Sequence, residues 1–159
     1  MIAAYGPVLR ELATTVPKCL NDLQGFQNPQ LVMPGVIALQ APAFINYTEA
    51  KVEFTKLDGQ LNSNLSSLEG IPFIIICDDA NFVSENINNF LWTTFTRSNP
   101  SHDIQGIGTF YNNKHWGCNG PLVIDARSKP HHAPPVMVDP TTNSKINYLF
   151  EEGGSLYGY

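Results

Sequence analysis

The stretch that most constrains this chain is Pro72-Phe-Ile-Ile-Ile-Cys-Asp-Asp79. Four apolar residues, Phe73 to Ile76, run without alternation through Cys77 into two carboxylates, Asp78 and Asp79. A strand with one solvated face alternates apolar and polar residues, so an unbroken run marks a strand covered on both faces. Residues 122–124, Leu-Val-Ile, form a second such run that ends in Asp125. A chain with buried strands of this kind must supply a layer for each face of the sheet.

Helical stripes supply those layers. Ala50, Phe54, Leu57, Leu61, Leu65 and Leu68 are spaced 4, 3, 4, 4 and 3 residues apart, which predicts one long helix. Thr48 is its candidate N-cap and Gly70 its stop. Gly59, Asn62, Ser63 and Asn64 are poor helix formers, so this helix depends on docking its stripe. A second helix is expected after Ser84 as N-cap, with Ile87, Phe90, Leu91 and Phe95 buried and Ser98-Asn99-Pro100 as the stop. Near the N-terminus, Pro7, Val8, Leu9, Leu12 and Val16 predict a helix, which Pro17 either kinks or follows with a new turn. Leu20 and Leu23 continue its face to Gly25. Pro34-Gly35 separates two short strands, 31–33 and Val36–Gln40. Residues 101–120 read as loop, the prolines at 130, 134, 135 and 140 as extended chain, and 144–150 as a short helix. The sum is a single α/β domain with a mixed, mostly parallel sheet and helices on both faces.

Bulk properties narrow the function classes. The 159 residues suit one domain. Nine Lys and Arg are scattered and the net charge is −5, whereas nucleic-acid binding needs a basic stripe. No apolar run approaches the ~20 residues of a membrane span, and the N-terminus lacks a signal-peptide pattern. Cys19, Cys77 and Cys118 are an odd, widely spaced set, which fits a reducing, cytoplasmic setting. Charged residues are only 14%, against about 25% in a typical domain. Amides and hydroxyls take their place, which suits a surface that partners cover.

The acids at the strand ends are the first candidates for chemistry, since groups past the carboxyl ends of strands collect ligands in open α/β sheets. Adjacent strand residues point to opposite sides, so Asp78 and Asp79 face one metal only with a turn between them. The competing reading is that one caps the following turn and the other makes a local backbone hydrogen bond. Arg97, Asp103 and Arg127 are candidates to pair with these acids. His115 and Cys118, followed by His131 and His132, have a superficial zinc spacing, but adjacent histidines rarely converge on one tetrahedral ion. The chain has no nucleophilic Ser motif, no Walker loop and no Gly-x-Gly-x-x-Gly.

The block from Phe73 onward resembles the C-terminal domain of UbiD-like carboxy-lyases, the family of 3-polyprenyl-4-hydroxybenzoate decarboxylase. The shared pattern is an apolar strand ending in paired acids (Asp78, Asp79), an apolar residue before Trp92, then Thr96-Arg97-x-x-Pro100-x-x-Asp103. Downstream, Asp125-Ala126-x-x-Lys129 matches a second family segment. The likeness is strongest over 73–129 and weaker but collinear over 6–70. The His-Trp-Gly-Cys and His-His-Ala-Pro-Pro segments depart from it.

That resemblance implies a decarboxylase of aromatic or α,β-unsaturated acids, such as polyprenyl-4-hydroxybenzoate in ubiquinone biosynthesis. It implies prenylated FMN, a divalent metal (usually manganese) and a monovalent cation. All are bound upstream, in and around a split-barrel domain for which 159 residues leave no room beside this one. The family's catalytic Glu-Arg-Glu set also lies upstream. No catalytic, cofactor-binding or metal residue is therefore expected on this chain, and it should be inactive alone. Asp78, Asp79, Trp92, Arg97, Asp103, Asp125 and Lys129 are expected as motif residues that line a pocket or hold structure. The implied role is a lid and assembly domain: a truncated product, an expressed piece or a small subunit. Its partners are an upstream cofactor-binding domain or subunit and further copies of itself. The rival readings are a stand-alone binding or regulatory subunit of the same fold, and a small metalloprotein built on Cys118 and the histidines.

Overall fold

The computed structural model describes residues 6–8, 10–133 and 139–159. In chain order the elements are β1 (Gln27–Met33), β2 (Val36–Gln40), α1 (Tyr47–Asn62), β3 (Phe73–Cys77), α2 (Ala80–Glu85), α3 (Ile87–Thr96), β4 (Ile104–Gly106), β5 (Thr109–Asn112), β6 (His115–Cys118), β7 (Leu122–Asp125) and α4 (Pro140–Phe150). Five strands form one sheet in the order β1-β2-β3-β7-β4. The two central pairings, β2 with β3 and β3 with β7, are parallel, and both edge pairings are antiparallel. The α/β class and the mixed sheet with a parallel centre agree with the sequence pattern.

The two faces of β3 show why its run does not alternate. Ile74 and Ile76 join Ile37, Leu39 and Val123 under α1, where Leu57 and Leu61 are fully buried. Ile75 and Cys77 join Val36, Ala38, Ile124 and Ala126 on the other face, against Ala80, Val83 and Phe90 of α2 and α3. Burying each of these isoleucines contributes about 1.5–3 kcal/mol, so polar residues on either face would be costly.

Several expectations fail in instructive ways. The long stripe is docked as predicted but not as one helix. It breaks at the poor helix formers Ser63 and Asn64, and the chain resumes in a 3₁₀ turn, Leu65–Leu68. The N-cap of α1 is Asn46, whose side chain accepts from Glu49 N–H, and not Thr48. Gly70 does end the segment, at φ +86°, where a Cβ would meet Glu11 O at 2.6 Å.

The N-terminal helix does not form. The described part of residues 6–17 has no helix, and Leu9 lies outside the described residues. Ala13 N–H donates to Gly70 O (3.0 Å) and Ala13 O accepts from Gly35 N–H (2.8 Å), so this strap takes its hydrogen bonds from distant loops. Pro7 and Pro17 at its ends and β-branched residues between them weaken the local case for a helix. Leu20 and Leu23 still reach the core, through a 3₁₀ turn at Lys18–Leu20.

Residues 101–120 are not loop. They form β4 and the β5–β6 hairpin, whose two-residue turn, Asn113-Lys114, has positive φ at both positions (49° and 68°). Turns of that shape match the twist of paired strands. This turn is Asn-Lys and not the Asn-Gly pair that announces them.

The helix after β3 also differs. It is two helices, capped by Asp79 and Asn86, and Ser84 lies inside the first. On α3 the residues turned inward are Thr93 and Thr94, at 2% and 1% exposure. Phe90 is half-buried, but Ile87, Leu91 and Phe95 are exposed (50%, 44% and 69%), with Trp92 beside them at 46%. Small residues let the helix lie close to its neighbours, and its large apolar side faces outward. α4 begins at Pro140, earlier than predicted, because Asp139 caps it and proline suits the first turn. Pro134 and Pro135 lie outside the described residues.

Candidate functional site: the ends of β3 and β7

The parallel centre of the sheet brings Asp78 and Asp125 to the same edge, because β3 and β7 pair in register from Phe73/Leu122 to Ile76/Asp125. Two cations between them organise this edge.

Arg127 is buried at 1% exposure. Its guanidinium grips Asp125 through two bonds, Nε to Oδ1 (3.0 Å) and Nη2 to Oδ2 (2.7 Å). Its Nη1 reaches Glu53 Oε2 on α1 (2.7 Å) and Pro42 O (2.9 Å). Burial opposes its charge, but the hydrogen bonds and charges of Asp125 and Glu53 outweigh burial and hold it above its ordinary value.

Lys129 is buried at 3% exposure. Its Nζ donates to Asp125 O (2.8 Å), Arg97 O (3.0 Å) and Arg127 O (3.3 Å). It lies 3.5 Å from Asp103 Oδ2 and 3.9 Å from Asp125 Oδ1. Asp103 in turn accepts from Asn99 N–H (2.6 Å), which closes the turn after α3. The ring of Phe44 lies 5.6 Å from the Arg127 guanidinium and 5.4 Å from Lys129 Nζ.

The acids after β3 divide their work. Asp79 caps α2, its Oδ1 accepting from Asn81 and Phe82 N–H. Asp78 Oδ2 accepts from Arg97 Nη1 (3.1 Å) and from Ser128 N–H (2.8 Å), fifty residues away in sequence. Arg97 also stacks on Trp92, with 4.8 Å between guanidinium carbon and ring centre. The structure thus joins Asp78, Arg97, Asp103, Asp125 and Lys129 in one network, with Arg127 between Asp125 and α1. Asp79 and Trp92 flank it. Glu53 and the Pro42 carbonyl were missed, since a partner 74 residues from Arg127 leaves no local signal.

A cleft of about 440 Å³ opens beside this network, bounded by Tyr47, Glu53, Phe54, His102, Asp103, Asp125 and Arg127. Tyr47 stacks against His102 at 5.5 Å. Its hydroxyl is pushed above its ordinary value by burial, then by the charges of Asp103 and Asp125. The cleft does not fit the groups that the resemblance implies. A flavin phosphate needs cations or N–H groups free to receive it; Arg127 is already shared by two carboxylates, and the other cation of the lining, Lys51, is one exposed side chain on α1. A divalent metal needs free carboxylate oxygens, and the Arg127 guanidinium already occupies those of Asp125. Among the described residues no group of three or more His, Cys, Asp or Glu converges as metal ligands. Cys118 Sγ donates to Gly120 O (3.3 Å). The rings of His131 and His132 contact each other at 4.6 Å, and His132 Nδ1 accepts from Lys129 N–H (3.1 Å).

No protein-family model matches the chain. Over 80 residues, half of its length, the chain is 35% identical to a subunit of the 4-hydroxybenzoate decarboxylase of Chlamydia pneumoniae. This match agrees with the resemblance to UbiD-like carboxy-lyases. Over 149 residues, 92% of its length, it is 26% identical to an uncharacterised protein of Chlamydia caviae. The matches span only 14% and 23% of those two relatives. Among solved structures, the chain corresponds loosely to an evolved dimeric form of the UbiD-class enzyme HmfF from Pelotomaculum thermopropionicum in complex with prFMN. That match has a TM-score of 0.44 and 15% identity and covers 79% of this chain and 26% of that one. The vanillic acid decarboxylase of Sedimentibacter hydroxybenzoicus in open form gives a TM-score of 0.44 and 17% identity, over 84% of this chain and 31% of that one.

Proposed function

We propose that this UbiD-like domain is the C-terminal lid and assembly part of a decarboxylase acting on aromatic or α,β-unsaturated acids. The reacting groups, prenylated FMN and its metal ions then come from a separate cofactor-binding domain or subunit. The observation that carries this reading is the mutual satisfaction of the strand-end charges. Arg127 and Lys129 are spent on Asp125, Glu53, Asp103 and backbone carbonyls. A cation tied in this way braces a loop and is not available to polarise a substrate. The name of the Chlamydia pneumoniae relative supports 4-hydroxybenzoate as the first acid to test.

The outward apolar side supports the assembly half of the proposal. Leu91 and Phe95 are exposed on α3, and Phe110, Tyr111 and Trp116 on the hairpin. Apolar exposure on this scale marks contact surfaces, here with the cofactor domain and with further copies of the chain. Closure of such a domain over a reactive site excludes water and completes the pocket. The three cysteines are free, which supports a reducing, cytoplasmic setting. No helix among the described residues is long and apolar enough to cross a membrane.

The test is reconstitution. The chain is mixed with the flavin-loaded cofactor-binding part of a related decarboxylase, and carbon dioxide release from 4-hydroxybenzoate is followed. Activity that requires both components supports the proposal. Flavin binding and turnover by the chain alone would overturn it.

A further inference from the structure

A second cleft lies on the opposite face of the sheet from the acid-lined one. It has a volume of about 370 Å³ and is lined by Cys77, Asp78, Asp79, Phe82, Val83, Trp92, Thr93 and Arg97. Its walls are two aromatic rings, Phe82 and Trp92, set edge to face with centres 6.4 Å apart. Both rings are nearly half exposed, so the walls are open to a ligand. Cys77 and Val83 make an apolar floor.

Two polar features set the chemistry of an occupant. The first is Thr93, buried at 2% exposure, whose hydroxyl has no hydrogen-bond partner among the described residues. A buried hydroxyl without a partner is costly, and such groups in a native structure call for an explanation. Threonine uses two χ1 wells in a helix, so a rotation can present this hydroxyl at the cleft wall. The second feature is the charge at the rim. Asp78 and Asp79 outnumber Arg97, and Arg97 is already bound to Asp78 and stacked on Trp92. An anion is repelled here. Asp78 Oδ2 and Asp79 Oδ1 carry the hydrogen bonds, which leaves the second oxygen of each carboxylate to accept one.

We infer that this cleft binds an uncharged aromatic small molecule bearing a hydroxyl, a phenol in its simplest form. The ring lies against the wall formed by Phe82 and Trp92, and the hydroxyl donates to a rim carboxylate or exchanges hydrogen bonds with Thr93. The site is separate from the acid-lined cleft and is argued from its own lining.

The test uses the chain's two tryptophans. Phenol and, separately, benzoate are titrated into the full chain while the indole N–H signals of Trp92 and Trp116 are followed by nuclear magnetic resonance. Trp116 lies on the β5–β6 hairpin and serves as the internal control. Phenol should shift Trp92 saturably and leave Trp116 in place, with benzoate at least tenfold weaker. Thr93→Val keeps the shape and removes the hydroxyl. It should weaken phenol binding roughly tenfold, the value of one hydrogen bond, while Thr93→Ser retains it. Unfolding midpoints of both variants check that the fold is intact. The inference is overturned if phenol leaves Trp92 unmoved, if benzoate binds as well as phenol, or if Thr93→Val in a folded chain binds phenol with unchanged affinity.

Discussion

The ends of β3 and β7 carry the same residue type at the same edge of one sheet, yet they are built in opposite ways. At the end of β7, Asp125 is closed in by Arg127 and Lys129, whose side chains are 2% and 0% exposed. At the end of β3, Asp78 is 34% exposed and its partner Arg97 19%. Asp79 caps α2. Buried ion pairs are expensive to assemble and more expensive to break, because the survivor is left charged without a partner. Exposed pairs are worth little in either direction. One end is therefore a brace, and the other is a surface that can change its contacts.

Breaking the brace should have the largest effect. Lys129→Met leaves Asp103 charged and buried, and should cost about 3–5 kcal/mol in chemical denaturation. The double change Lys129→Met with Asp103→Asn should recover part of that loss. Arg127→Met strands two carboxylates, Asp125 and Glu53, that are partly open to water. Its cost should be somewhat smaller, about 3 kcal/mol, again from the denaturation midpoint. At the other end, Asp79→Ala removes the α2 cap and should cost about 1 kcal/mol. Asp78→Asn should cost less than about 1 kcal/mol, because its pair is partly exposed. Equal losses at the two ends would erase the distinction.

The smallest expected effect is on pH dependence. His132 sits beside the brace and takes the Lys129 N–H at its Nδ1. Burial, then the charges of His131, Lys129 and Arg97, hold its pKa below the ordinary 6.5, while Asp103 acts the other way. The unfolded chain therefore binds the proton more readily than the folded one. The stability that His132 contributes is present above pH 6.5 and is lost as pH falls through the lower folded value. Thermal midpoints should fall on acidification across that range, and the slope should flatten in His132→Asn.

Much of this architecture was legible because it depends on local pattern. The unalternating run reached the core from Ile74 to Cys77, with Phe73 at its start exposed, and so did the stripe through Leu57 and Leu61. The acids at the strand ends stood out for the same reason. Three things stayed hidden. The partners of Ala13 are backbone groups of Gly35 and Gly70, so the strap has no periodicity to read. Apart from Phe90, the α3 stripe faces away from this domain's core, and hydrophobic spacing alone does not say which side of a helix is turned inward. Glu53 joins Arg127 across the fold, and only the topology brings them together.

The central claim is that the strand-end charges brace a domain whose chemistry comes from elsewhere. The most direct measurement is a visible absorbance spectrum of the chain after reconstitution with prenylated FMN and manganese, followed by a decarboxylation assay on 4-hydroxybenzoate. A colourless, inactive chain that supports turnover only with the cofactor-binding component is the predicted result. A flavin band retained through gel filtration, with turnover by the chain alone, would contradict the account.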